Sequence, residues 1–213
     1  MYPRGLCKRL LIYLTFSILI ACLAKDSKDL LHNTKLISDD LDLFQDGDLI
    51  FRSGKGIFSD FFKSVGTRKS PYSHVGIICR HGGEVFVIHT EANELTGKGH
   101  AKIDALNIFL NDSNASASCI YRLKKAANYY GKKSAGIAIQ FAKDKIPFDL
   151  NFDISTQDKL YCTELVWLAF KKAGIDIVDS PSSITVPFLK SKTIITIPDI
   201  LDSGKFEKIS KLK

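Results

Sequence analysis

Two runs of alternating apolar residues, Ser73 to Arg80 and Glu84 to Glu91, flank the turn sequence His81-Gly82-Gly83. Alternation with a period of two on both sides of a glycine pair specifies an antiparallel β-hairpin, and it constrains the fold more than any other feature of the chain. The turn also fixes which side chains share a face. With a two-residue turn (His81-Gly82 or Gly82-Gly83) or a four-residue turn (Arg80 to Gly83), His74, His89 and Glu91 fall on one side of the sheet. A three-residue turn would put His89 behind it. A two-residue turn with glycine at its second position is favoured hairpin chemistry, so the same-face arrangement is expected.

Around this hairpin the chain reads as one domain from about residue 41 to residue 213. Phe44 to Phe51 is a turn followed by a short strand, and Ser53 to Ser70 a loop and short helix over the site. Ala101 to Phe109 reads as a short strand and a turn of helix, and Ser118 to Leu123 as another strand. Tyr129 to Lys145 has helical spacing and stops at Pro147. A polar stretch, Phe148 to Gln157, leads into a helix from about Asp158 to Ala173, with Ser155 and Thr156 as available caps and Gly174 as its stop. Thr193 to Pro198 reads as a last strand, followed by a basic tail from Lys205 to Lys213. Short strands around one or two helices make an α+β domain.

The N-terminus has a different logic. Arg4, Lys8 and Arg9 precede an apolar run from Leu10 to Ala21, which is too short for the ~20 residues of a spanning helix and has the form of a secretory signal. Leu19-Ile20-Ala21-Cys22 resembles the bacterial lipobox, which implies a signal peptide over 1–21, an acylated Cys22 and a polar tether over 22–40. Cleavage after Ala24 and an uncleaved anchor are the alternatives. Export to a bacterial cell envelope, in the periplasm or lipid-anchored to the membrane, is the expectation.

The formal charge of +7 invites a nucleic-acid reading, but its distribution argues against one. Three of those charges belong to the export segment, leaving +4, and the rest are scattered pairs such as Lys124-Lys125 and Lys171-Lys172. Phosphate tracks need charge clustered on one face, so no nucleic-acid partner is expected. The body of the chain keeps three cysteines, Cys79, Cys119 and Cys162, an odd number that leaves at least one without an internal partner. With neither Cys-x-x-Cys nor His-x-x-x-His present, no metal or other cofactor is expected.

Cys162 falls near the start of the last long helix, where unpaired N–H groups and the helix dipole favour a thiolate. Beside an imidazolium such a thiol can fall from near pKa 8.5 to roughly 3.5–7.5. His74 opens a strand, a position from which a sheet presents a side chain to a cleft. It is the candidate base, with His89 as the group that orients it and Glu91 as the alternative orienter.

Three segments carry a resemblance: Gly47-Asp48-Leu49-Ile50-Phe51, Tyr72-Ser73-His74-Val75-Gly76-Ile77, and Tyr161-Cys162-Thr163-Glu164-Leu165-Val166. In this order they are similar to the circularly permuted NlpC-type papain-like amidases, the YiiX/YaeF-like group. Thr196 to Leu201 also looks like that group's closing segment. The resemblance implies a permuted papain-like domain whose antiparallel sheet packs on the helix bearing the cysteine. It makes Cys162 the nucleophile and His74 the base, and it matches His89 to a third polar residue. Tyr161 and Thr163, the latter standing where relatives usually have serine, would line the site and help bind substrate. The activity it implies is an exported thiol hydrolase that cleaves an amide or ester through an acyl-enzyme on Cys162. The substrate would be a cell-wall peptide or a lipid-linked N-acyl compound. An acyltransferase using the same acyl-enzyme and a non-catalytic lipid- or peptide-binding protein are the rival readings.

Overall fold

This computed structural model describes residues 41–212 except 55–58, 61–62, 64–68, 94, 112, 114 and 185–191. The export segment, Cys22, the tether and much of the loop expected between Ser53 and Ser70 lie outside the described residues. In chain order the elements are β1 (Leu49–Ser53), β2 (His74–His81), β3 (Glu84–Ala92), β4 (Gly99–Ala105), α1 (Leu106–Phe109) and β5 (Ala117–Leu123). They continue with α2 (Ala127–Lys143), α3 (Cys162–Ala173), β6 (Ser182–Ile184), β7 (Lys192–Ile194), α4 (Ile197–Leu201) and β8 (Phe206–Lys211).

The hairpin is β2 and β3. His81 pairs with Glu84, which leaves Gly82-Gly83 as a two-residue turn with φ of +60° and +80°. Positive φ at both positions is what a tight hairpin with the right strand twist demands, and glycine adopts it without steric cost. β1 joins β2, β4 joins β3, and β5 and β8 extend the other side. The result is a six-stranded antiparallel sheet in the order β4-β3-β2-β1-β5-β8, with β6 and β7 forming a separate small ribbon.

Alternation divides the sheet into two faces with different jobs. Leu49, Phe51, Val75, Ile77, Ile88, Ala101 and Leu123 project to one face and pack against Ala135 and Ala138 of α2 and Leu165, Val166 and Ala169 of α3. Full burial of a Val, Leu, Ile or Phe side chain is worth roughly 1.5–3 kcal/mol, so this apolar layer is what holds α3 to the sheet. The opposite face carries Arg52, His74, His89, Glu91, Lys102 and Asp104, and Phe109 of α1 packs over part of this row.

Three local expectations differ from what the chain does. The cysteine helix starts at Cys162 rather than near Asp158, because Asp153 captures the proposed caps in a turn of its own. Its Oδ1 accepts from the Ser155 N–H (3.0 Å) and Oγ (2.7 Å), and its carbonyl lies 3.4 Å from the Thr156 hydroxyl. The last strand ends at Ile194, since Thr196 accepts from the Asp199 N–H while Asp199 accepts from the Thr196 N–H. That reciprocal cap begins α4, with Pro198 in its first turn. The basic tail is a strand, β8, whose buried Phe206 pairs with Leu123.

Candidate active site

Cys162 occupies the first turn of α3, and the residues on either side of it grip the two backbone groups of one residue, Ile195. The Tyr161 hydroxyl accepts from the Ile195 N–H at 2.7 Å, and the Thr163 hydroxyl donates to the Ile195 carbonyl at 2.6 Å. Both side chains are buried. This corrects the expectation that Tyr161 and Thr163 line a cleft: they face inward and fix the start of the helix. Behind them the buried Glu164 carboxyl accepts from the Tyr161 N–H at 3.4 Å. Burial pushes its pKa up to about 8, helped by Asp149 and Asp153 and opposed by the Tyr161 N–H.

The thiol itself lies in the apolar layer, 1% exposed. Burial raises its pKa to about 12, although the nearby backbone N–H groups of Val75, Thr163 and Cys162 itself pull the other way. The expected depressed thiol pKa is therefore not found. Desolvation of the anion outweighs the helix start and the three N–H groups, and the resting group is a neutral thiol.

Cys162 shares the apolar layer with Val75, the residue after His74, so adjacent positions at the beginning of β2 face the thiol and carry an imidazole. The sulfur comes to the strand from the α3 side, whereas the His74 ring projects to the polar face. There His74 Nε2 lies 2.8 Å from His89 Nδ1, and His89 Nε2 lies 2.9 Å from Asp104 Oδ2. Gly76 lets the two rings meet: a Cβ there would sit 3.2 Å from His89 Cβ and only 2.4 Å from Val87 Cγ1.

Proton positions follow from this chain of contacts. An ionised carboxylate only accepts, so His89 carries its proton on Nε2 and leaves Nδ1 to accept from His74 Nε2–H. The lone pair of His74 is then on Nδ1, the nitrogen that His89 does not use. Both rings are held neutral. Burial lowers the His74 pKa well below its usual value, with Arg52, His89 and Lys102 adding to the effect. His89 is lowered by burial despite its bond to Asp104, while that same bond holds Asp104 below the ordinary carboxylate range.

Glu91 does not orient His74. It forms an ion pair with Arg52 and lies 3.4 Å from Lys102 Nζ, which also reaches Asp104 Oδ2 at 3.0 Å. Arg52 donates to the Phe109 carbonyl at 2.8 Å and stacks 4.5 Å from the Phe109 ring, which in turn packs edge-on against His89. Asp104, Arg52 and Phe109 thus surround the histidine pair, and none of the three was a candidate from sequence. The pairing of His89 with Lys102 places Asp104 diagonally across from His89 on the same face. Recognising Ala101 to Ala105 as the partner of β3 would have found it. His81 ends β2 at the turn and His100 bridges to Pro147, away from the pair.

The family described as "Permuted papain-like amidase enzyme, YaeF/YiiX, C92 family" matches residues 43–191, well over half of the chain. The chain belongs to this family. The fold agrees with that membership: the crystal structure of the metalloprotein yiiX from Escherichia coli O157:H7 superposes with a TM-score of 0.63 at 17% identity. The match covers 78% of this chain and 97% of the other. Comparison with the curated proteins finds no match. The E. coli protein is described as a metalloprotein. In this chain, no group of three or more His, Cys, Asp or Glu side chains among the described residues is disposed to hold a metal ion.

Proposed function

We propose that this member of the papain-like amidase family is an exported thiol hydrolase. It attacks the amide or ester carbonyl of a cell-wall peptide or a lipid-linked N-acyl compound. Cys162 is the nucleophile, His74 the base and His89 the group that orients it. The signal-like N-terminus supports export, with Cys22 as the lipid-bearing residue of the mature chain.

The observation that carries the reading is the His74–His89–Asp104 chain of contacts, which leaves His74 Nδ1 to accept a proton, one residue along β2 from Val75 in the apolar layer that holds Cys162. With a neutral thiol and a neutral imidazole, proton transfer accompanies attack instead of preceding it. As the S–C bond forms, the S–H proton passes to Nδ1 and the carbonyl oxygen becomes an oxyanion, stabilised in part by the Cys162 N–H. Collapse breaks the bond to the leaving amine or alcohol, which takes the proton from His74. Water then adds to the thioester, again giving its proton to Nδ1, and the carboxylic acid and thiol are released.

Labelling by iodoacetamide, mapped by peptide mass spectrometry, tests the dyad. Cys162 should label in the wild type and lose most of its reactivity in His74→Ala, while the half-buried Cys79 reports unchanged accessibility. Equal Cys162 labelling in the two proteins removes His74 as its base. The buried, high-pKa thiol favours a second reading, a non-catalytic peptide- or lipid-binding protein. That reading predicts a Cys162 inert in both proteins.

A further inference from the structure

The histidine pair is wired to a carboxylate at the far side of the sheet. Asp104 belongs to β4, the edge strand, two residues along from the partner of His89. One of its oxygens receives both the His89 Nε2–H (2.9 Å) and Lys102 Nζ (3.0 Å). The charged groups around the two rings are Arg52 from β1, Glu91 from β3, and Lys102 and Asp104 from β4; the Cys162 thiol of α3 is titratable but neutral at rest. Of the two carboxylates, Glu91 is committed to Arg52, and only Asp104 touches an imidazole.

We propose that Asp104 is a positioning residue of the site: acting through His89, its carboxylate keeps Nδ1 of His74 free of a proton before attack and supplies the counter-charge when that ring becomes an imidazolium, with Lys102 moderating its field.

This rests on Cys162 and His74 being the reacting pair. The step consists of one proton moving from sulfur to His74 Nδ1 as the S–C bond forms. The new positive charge arises in a buried site, where an unpaired charge is costly. The His74 Nε2–H already points at His89 Nδ1, and the His89 Nε2–H at Asp104, so the compensating negative charge is in place without rearrangement. Lys102 bears on the same oxygen with the opposite sign. Asp104 and Lys102 therefore bias the basicity of His74 in opposite directions.

The test uses the full chain and p-nitrophenyl acetate, reading the burst of p-nitrophenolate as a function of pH. Asp104→Asn keeps an acceptor oxygen for His89 and Lys102 but removes the charge. Acting through a second ring, it should slow acylation by about ten- to a hundred-fold, the range seen when carboxylates behind metal-bound histidines are lost. Its acidic limb should move to lower pH, Lys102→Met should move that limb to higher pH, and Asp104→Glu should recover most of the rate. A purely structural role would leave the limb where it is and change only the melting temperature. A normal burst and an unmoved limb in Asp104→Asn overturn the proposal, and if that variant does not fold, an unmoved limb in Lys102→Met does so. Loss of the burst in Cys162→Ala and His74→Ala shows that the dyad stands whatever Asp104 does. A burst that survives both substitutions overturns the dyad, and the proposal with it.

Discussion

Glu164 offers a test of how the start of the cysteine helix is held. Its carboxyl is 1% exposed, and burial raises its pKa from 4.5 to about 8. The folded state therefore keeps the proton up to about pH 8, while the unfolded chain releases it near 4.5. The resulting stabilisation is fully present below 4.5 and is lost as pH rises towards 8. Each pH unit between those two values is worth about 1.4 kcal/mol, so the wild type should lose on the order of 3–5 kcal/mol across that window through this residue. Glu164→Gln stays neutral and keeps an acceptor for the Tyr161 N–H, so it should lack this loss. The buried histidines act in the opposite sense: with folded pKa values depressed, their contribution is present above about pH 6.5 and falls away as pH drops. The informative quantity is therefore the difference between the two proteins. Urea denaturation from pH 4.5 to 8.5 should give similar stabilities at the acidic end and a variant increasingly more stable from about pH 5 upward. Parallel curves would refute a protonated, buried Glu164 and with it this account of the helix start.

Other expectations concern the same frame. Thr163→Val removes the donor to the buried Ile195 carbonyl and should cost about 1–3 kcal/mol, read as a lowered urea midpoint. Tyr161→Phe should cost a similar amount, and the double variant should fall short of the sum because both hydroxyls hold the same residue, Ile195. Gly76→Ala drives a Cβ to 2.4 Å from Val87 Cγ1 and 3.0 Å from the Ile88 carbonyl, so it should lower stability and, by displacing His89, slow acylation together. Normal acylation in that variant would count against His89 as the orienter.

Much of the sheet was legible because its signals are local. The glycine pair between two alternating runs sets the turn, and the turn sets the register that brings His74 and His89 to one face. The helix start was less legible. Ser155 and Thr156 are good caps by type, yet Asp153 engages both, and only the fold shows that the extended Tyr161 precedes the first turn. The β-branched run Thr193 to Thr196 reads as a strand, whereas the reciprocal cap between Thr196 and Asp199 ends it and starts α4. Asp104 was hidden for another reason: its role depends on β3 pairing with β4 across a loop, a long-range choice that no short window encodes. The state of the thiol is not legible in the sequence, because the pull of a helix start can be read there, whereas the burial that overrides it is a property of the packed layer.

The central claim is that Cys162 forms a covalent acyl-enzyme with His74 as its base. Brief exposure to p-nitrophenyl acetate, an acid quench and peptide mass spectrometry test it most directly. The account predicts one acetyl group on the peptide containing Cys162, absent in His74→Ala. Acetylation confined to lysines or Cys79, or equally present on Cys162 in both proteins, would contradict it.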